Sequence, residues 1–467
     1  MKVIEHLVNG EILSMGDPTQ DVFNPSTGEV SKQVSLATKT TAEKAITAAQ
    51  DAFPEWRAIP PLKRARIMFR FKELLEKNIN EIAQLIGEEH GKIEHDALGE
   101  VTRGIENVEY ACYAPELLKG EHSKNIGTNI DSWSEFQPLG VVAGITPFNF
   151  PAMVPLWMYP MAIVCGNCFV LKPSERDPSA ALFVAQLLYE AGLPKGVLNV
   201  VNGGKEAVDT LLTDERVQAV SFVGSTAIAK DMENTVNALI GAAFGSSGER
   251  CMAISVAVAV GSETADNLIA GLKSKMHDLK VGNFDDHTND FGPLITKDHM
   301  EKVKQYITSA ETQGADIVVD GRNVNVKGCE NGFYVGGTLI DSVQASMESY
   351  QNEIFGPVLQ VVRVDTMQQA IDLIDEHEYG NGTCIFTRDG EAARYFSDHI
   401  KVGMVGINVP LPVPAAQHSF GGWKQSMFGY LAAYGPDSVR FYTRRKTITQ
   451  RWPSSSVREG VNFSFPS

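Results

Sequence analysis

Apolar residues recur along this chain in two rhythms. From residue 60 to residue 90 they fall three and four apart, with Ile67, Phe71, Leu74, Leu75 and Ile79 on one face, which predicts a long amphipathic helix. Residues 41–53 predict a shorter helix with Thr41 as a candidate cap, and residues 94–118 another. The stretch 6–38 reads as short strands and turns, punctuated by Asn24-Pro25-Ser26-Thr27-Gly28. Beyond residue 138 the pattern changes. Continuous apolar runs at 140–145, 168–171, 197–201 and 219–223 alternate with helical stretches at 151–164 and 178–191. Such runs predict a parallel sheet buried on both faces by crossover helices. A second α/β set follows residue 251, with helices at 265–278, 297–313 and 367–376 and strands at 315–319, from 358 and at 382–386. Residues 123–136 predict an exposed strand pair. The alternation of Val439, Phe441 and Thr443 predicts an extended C-terminal strand, available to pair with another subunit.

Length changes this picture only by requiring more than one core: 467 residues imply two or three domains. A net charge of −16 argues against nucleic acid or an anionic membrane as the main partner. The uncharged stretch 136–171 is long enough to span a bilayer, but Pro147, Pro151, Pro155 and Pro160 interrupt it, so it reads as strand, helix and strand. Six scattered cysteines suit a reducing compartment, and the N-terminus lacks a long apolar run; a cytoplasmic protein is expected. Cys165-Gly166-Asn167-Cys168 has no second pair at zinc spacing, so packing cysteines are expected and no metal site.

The chemistry concentrates at residues 241–261. A run of small residues leads into Gly245-Ser246-Ser247-Gly248-Glu249-Arg250-Cys251, followed by an alternating β-branched run. Gly245 and Gly248 permit close backbone approach to a ligand, and Arg250 places a cation beside the thiol, which favours thiolate. Cys251 is therefore the expected nucleophile. Parallel sheets bind ligands beyond their carboxyl strand ends. Those ends carry Thr146-Pro147-Phe148-Asn149, then Lys172-Pro173-Ser174-Glu175-Arg176, then Gly224-Ser225-Thr226. Lys172 and Glu175 can bond ribose hydroxyls, and a carboxylate at Glu175 would repel a 2′-phosphate, which favours NAD over NADP. Gly224-Ser225 suits a phosphate. No G-x-G-x-x-G run occurs.

Taken in order, Thr146-Pro-Phe-Asn-Phe-Pro151, Lys172-Pro-Ser-Glu175, Phe222-Val-Gly-Ser-Thr226, Gly248-Glu-Arg-Cys251, Glu353-Ile-Phe-Gly-Pro357 and Phe420-Gly-Gly-Trp-Lys424 resemble the aldehyde dehydrogenase superfamily over nearly the whole chain. Gly248-Glu-Arg-Cys-Met252, Arg103-Gly-Ile-Glu-Asn-Val108 and Thr447-Ile-Thr-Gln-Arg-Trp-Pro453 are most similar to its CoA-acylating methylmalonate-semialdehyde dehydrogenases, which also take malonate semialdehyde. The resemblance implies an α/β fold with a Rossmann-type NAD-binding domain (1–120 and 138–230), an α/β catalytic domain (231–425) and oligomerisation strands (121–137 and 436–467). It implies a homo-oligomer, dimer or tetramer. By the same resemblance Cys251 attacks the aldehyde, Asn149 and the Cys251 N–H hold the oxyanion, and Arg103 and Arg250 bind the substrate carboxylate. Thr146, Phe148, Lys172, Glu175, Arg176, Ser225 and Glu353 line the cofactor site, and CoA takes the acyl group to give propionyl-CoA or acetyl-CoA.

The chain departs from that family at one place. Lys230 joins directly to Asp231-Met232-Glu233-Asn234, where relatives carry roughly 30 more residues, about the size of a strand-plus-helix unit. Weakened NAD binding and lower stability are expected. Ser247 stands where relatives often have alanine, and little effect is expected. Three other readings stand beside the first: a hydrolytic aldehyde dehydrogenase, disfavoured because the chain has no Glu-Leu-Gly-Gly; an impaired family member with a binding or assembly role; and a cysteine hydrolase using one of the ten histidines.

Overall fold

A computed structural model describes residues 2–127, 129–221 and 232–452, with the backbone alone at 232–234. Among the described residues the central sheet has six strands, in the order Val217–Ser221, Val141–Ile145, Cys168–Lys172, Leu198–Val200, His6–Val8 and Glu11–Leu13. The first four run parallel, and His6–Val8 joins antiparallel to Leu198–Val200. Every residue of Val141–Ile145 and of Cys168–Lys172 is buried, as their unbroken apolar sequence requires. Met153–Val164 is buried on all sides, so the uncharged stretch is a core helix. Among the described residues no helix is long and apolar enough to cross a membrane.

A second sheet orders Val256–Val260, Val358–Val364, Thr338–Asp341 and Asp316–Val319, the last antiparallel. A third, outlying sheet pairs Ile130–Pro138 with Thr443–Arg451 in an unbroken antiparallel register from Pro138↔Thr443 to Ile130↔Arg451, and adds His122–Gly127 on the other side. The fold is thus α/β with mixed sheets and an outlying β-sheet.

Three local expectations are corrected. The long helix at 60–90 is two, Pro61–Lys77 and Ile79–His90, because Asn78 leaves helical geometry and turns its side-chain amide onto the Leu74 carbonyl. Thr41 lies inside the helix Lys39–Ala58, which begins after Thr38; the Thr41 hydroxyl bonds Asp17 instead of capping. The apolar alternation near the C-terminus is helical at Asp437–Tyr442, where Ser438, Val439 and Tyr442 are the buried positions, and the strand starts only at Thr443. Three and four residues apart, those positions share one helical face.

Candidate active site

Cys251 follows a 3₁₀ turn at Gly245–Gly248, in which Ser246 and Ser247 both take left-handed backbone angles (φ 53° and 56°). Such angles strain a residue with a Cβ, so the turn must be held from outside. Asp96 accepts from the Ser246 N–H at 2.7 Å, and the Ser247 hydroxyl donates to the Gly292 carbonyl at 2.8 Å. The serine that was expected to matter little is therefore bonded. Gly248 has φ 73°, and a Cβ there would sit 2.2 Å from the Gly356 carbonyl oxygen. The Cys251 loop thus lies directly on the loop carrying Glu353. Replacing Gly248 with alanine is expected to lower stability by about 2 kcal/mol or more; thermal unfolding of the variant with a wild-type midpoint would contradict this contact.

The loop after Val141–Ile145 closes the other side. Phe148 packs against Phe355 and His90, each with ring centroids 6.0 Å apart, and Arg176 lies 5.2 Å from the Phe148 ring centre. Thr146 donates its N–H to the Lys172 carbonyl at 3.1 Å, while its hydroxyl is buried with no partner among the described residues. Lys172 bonds Glu175 at 3.1 Å and the Gly203 carbonyl at 3.0 Å. The two strand ends thus stand side by side, and Phe148 joins them to the Phe355 loop. Thr146, Phe148, Asn149, Lys172, Glu175, Arg176, Cys251 and Glu353 belong to adjoining loops. Ser225 lies outside the described residues.

Arg250 is held by Asp96 at 2.6 Å and donates to the Gly241 carbonyl. Arg103 pairs with Glu106 on its own helix, Glu94–Cys112, at 2.6 Å. Asp96 and Arg103 are seven residues apart, two turns along one helical face, or about 10 Å. Arg103 and the Asp96 that holds Arg250 thus stand on one face of the helix. Tyr434, Glu353 and Asn381 line a cavity of about 570 Å³.

The expected thiolate is corrected. Cys251 is 6 % exposed, and burial pushes its thiol up to about 12; Lys92 and Arg250 pull it back only in part, and Glu353 opposes them. The resting group is a neutral thiol. Glu353 itself is raised to about 7, although its residue surface is exposed: it opens only into the cleft, whose walls strip it of bulk water. At pH 8 Glu353 is mostly ionised and disfavours the thiolate. Glu353→Gln is therefore expected to speed alkylation of Cys251 about twofold to tenfold at pH 8, with the difference vanishing below pH 6 as Glu353 protonates. Equal rates at pH 8 would remove Glu353 from the thiol's surroundings.

Several neighbours escaped the sequence reading. Lys92, buried 57 residues before Asn149, donates to the Asn149 carbonyl. The Asn381 amide donates to the Cys251 carbonyl at 3.4 Å. Glu249 is wholly buried between His90 and His299, 3.8 and 3.7 Å away, and burial keeps its carboxyl well above the usual range. Only the seven-residue spacing of Asp96 and Arg103 left a trace in the sequence. The Cys165 and Cys168 thiols are buried and each pushed up to about 12, as packing cysteines would be.

Known proteins resemble this chain along its whole length. It is 60% identical to a malonate-semialdehyde dehydrogenase of Pseudomonas aeruginosa, with all of both chains covered. It is 45% identical to one of Bacillus cytotoxicus, covering 97% of this chain and 99% of the relative. Its fold superposes on the crystal structure of methylmalonate-semialdehyde dehydrogenase from Oceanimonas doudoroffii with a TM-score of 0.96 and 68% identity, covering 98% of this chain and all of that one. A Sinorhizobium meliloti protein solved in complex with NAD gives 0.95 and 47%, covering 98% and 99%. The Pseudomonas alignment runs over 496 positions against 467 residues here, so at least 29 positions face no residue of this chain. The family model matches in two runs, 13–232 and 228–448, which meet at the Lys230-Asp231 junction. With those two runs covering most of its length, the chain belongs to the aldehyde dehydrogenase family.

Proposed function

We propose that this protein oxidises malonate semialdehyde or methylmalonate semialdehyde with NAD⁺ and CoA, releasing CO₂ and acetyl-CoA or propionyl-CoA. The observation that carries the reading is the meeting of the Cys251 loop, the Asn149 loop and the Glu353 loop, with Arg250 held by the helix that carries Arg103. The names of the relatives support the substrate class.

The residues would act as follows. Arg103 and Arg250 hold the substrate carboxylate, since a guanidinium donates two parallel bonds to that group. Cys251 gives up its proton to solvent, and the thiolate adds to the aldehyde carbon as the carbonyl π electrons move onto oxygen, giving the oxyanion of a thiohemiacetal. The Asn149 side chain and the Cys251 N–H stabilise the oxyanion. The cofactor, when bound, supplies the hydride acceptor. Its fit rests on Lys172 and Glu175 at a strand end, on a Thr146 hydroxyl buried with no partner among the described residues, and on Glu353 facing the cavity of about 570 Å³. Once the hydride has left, Cys251 carries a thioester. The β-carboxylate departs as CO₂ and a proton takes its place. The CoA thiolate then displaces the Cys251 sulfur and regenerates it. Among the described residues, the outlying sheet leaves Thr443–Arg451 at an edge, which a second copy would pair in a dimer or tetramer.

Mixing protein, NAD⁺ and malonate semialdehyde and following reduced cofactor by absorbance tests this. Sustained turnover only with CoA is expected. Sustained turnover without CoA would make the enzyme hydrolytic. The 29 unmatched positions favour a second reading, an impaired family member, which would give no signal even in a single turnover.

A further inference from the structure

We propose that Lys92, anchored by Glu100, is the positioning residue that fixes Asn149 against Cys251; this rests on the role of Asn149 in the function proposed above. Lys92 follows the helix Ile79–His90 across a left-handed turn at Gly91 (φ 84°), which directs the chain inward. Its ammonium is 1% exposed and lies 2.5 Å from both Glu100 Oε2 and the Asn149 carbonyl, and 4.1 Å from the centre of the Phe150 ring. The other oxygen of Glu100 accepts from the N–H groups of Ala152 and Met153 at 2.9 and 3.1 Å, where the helix Met153–Val164 begins. The pair therefore grips both Asn149 itself and the chain just beyond it. Asn149 Oδ1 is buried with no partner among the described residues, and the grip on this residue that the structure shows is on its backbone.

Stability does not account for the pair. A buried ion pair is commonly no better than packed apolar side chains of the same volume. What such a pair provides is a fixed geometry, with a cation in a region where oxyanion and thiolate charge develop. The groups within electrostatic reach of Lys92 are Cys251, Glu249, His90 and Asp177; Glu353 and Arg250 also face Cys251. Burial holds Asp177 and Glu249 toward their neutral forms and His90 uncharged, which leaves Glu100 as the counter-ion.

The test uses Lys92→Met/Glu100→Gln, which removes both charges and strands neither, and Lys92→Arg, which keeps the cation but moves its donors. Two quantities are read: the single-turnover burst of reduced cofactor with malonate semialdehyde, and the rate of iodoacetamide alkylation of Cys251 at pH 8. In the double variant the burst rate is expected to fall about tenfold to a hundredfold, as for a lost bond to a charged group, with KM for NAD⁺ little changed. Alkylation is expected to slow, because the thiolate loses a neighbouring cation. A merely structural role would loosen the site and speed alkylation. Should the double variant fail to fold, Lys92→Arg is expected to lower the burst while alkylation stays near wild type. A wild-type burst in a folded variant, or faster or unchanged alkylation in the double variant, overturns the proposal. A wild-type protein without any burst refutes the proposed function, and the alkylation comparison still decides the placement of Lys92.

Discussion

Cys251→Ala is expected to abolish reduced-cofactor formation, including the first turnover, by about a thousandfold or more. No other cysteine can substitute. Cys165 and Cys168 are packed in the core, and Cys112 and Cys384 are buried with their thiols turned onto the Val108 and Pro410 carbonyls. The remaining one, Cys329, is half-buried in a turn before Phe333, where its N–H donates to the Val326 carbonyl. The variant should fold as the wild type does, since the methyl group fills part of the same buried site. Persistence of a burst in Cys251→Ala would show that hydride transfer does not pass through a thiohemiacetal here. Loss of steady turnover alone, with the burst retained, would move Cys251 to a later step.

The second large effect concerns the shortened segment. Inserting a 29-residue strand-and-helix segment between Lys230 and Asp231, the number by which the Pseudomonas alignment exceeds this chain, is expected to strengthen NAD⁺ binding about tenfold or more and to raise the unfolding temperature. The reasons are local. Val217–Ser221 is an edge strand among the described residues, and Val217, Ala219 and Val220 are only half-buried, unlike the two strands beside it. A parallel strand is normally covered on both faces. The cavity of about 570 Å³ runs from Val220 and Ser221 to Val256, Gln360 and Thr383. On its wall Ser349 Oγ, Gln360 Oε1 and Thr383 Oγ1 are buried with no hydrogen-bond partner among the described residues, a state that costs free energy for each. A strand passing between the two sheets would cover that wall. Calorimetric titration of NAD⁺ into both proteins checks this. Equal affinities would mean that the shortened segment plays no part in holding the cofactor.

How far the sequence could be read follows from which interactions are local. The buried runs 140–145 and 168–171 announced their strands because an unbroken apolar stretch has few other places to go, and the structure buries every residue of both. The loop at Cys251 was legible because its glycines and polar residues make poor core material; Gly248 does sit against the Gly356 carbonyl. The break at Asn78 was not legible, since the apolar spacing runs through it and only a side-chain bond to Leu74 marks the end of one helix. Lys92 was invisible for another reason. Its partners stand 8 and 57 residues away, and nothing in a Gly-Lys pair after a helix separates a buried cation from a solvated one. The state of the Cys251 thiol was misread because Arg250 is a sequence neighbour and burial is not. In the structure Arg250 is occupied by Asp96, and desolvation outweighs the pull of both cations.

The central claim is that Cys251 carries the acyl group and passes it to CoA. The most direct measurement is the mass of the Cys251 peptide after incubation with NAD⁺ and malonate semialdehyde in the absence of CoA, and again after CoA is added. An acyl adduct on Cys251 that disappears as acyl-CoA forms is the predicted result. Reduced cofactor accumulating with no adduct on Cys251, or an adduct that CoA does not remove, would contradict it.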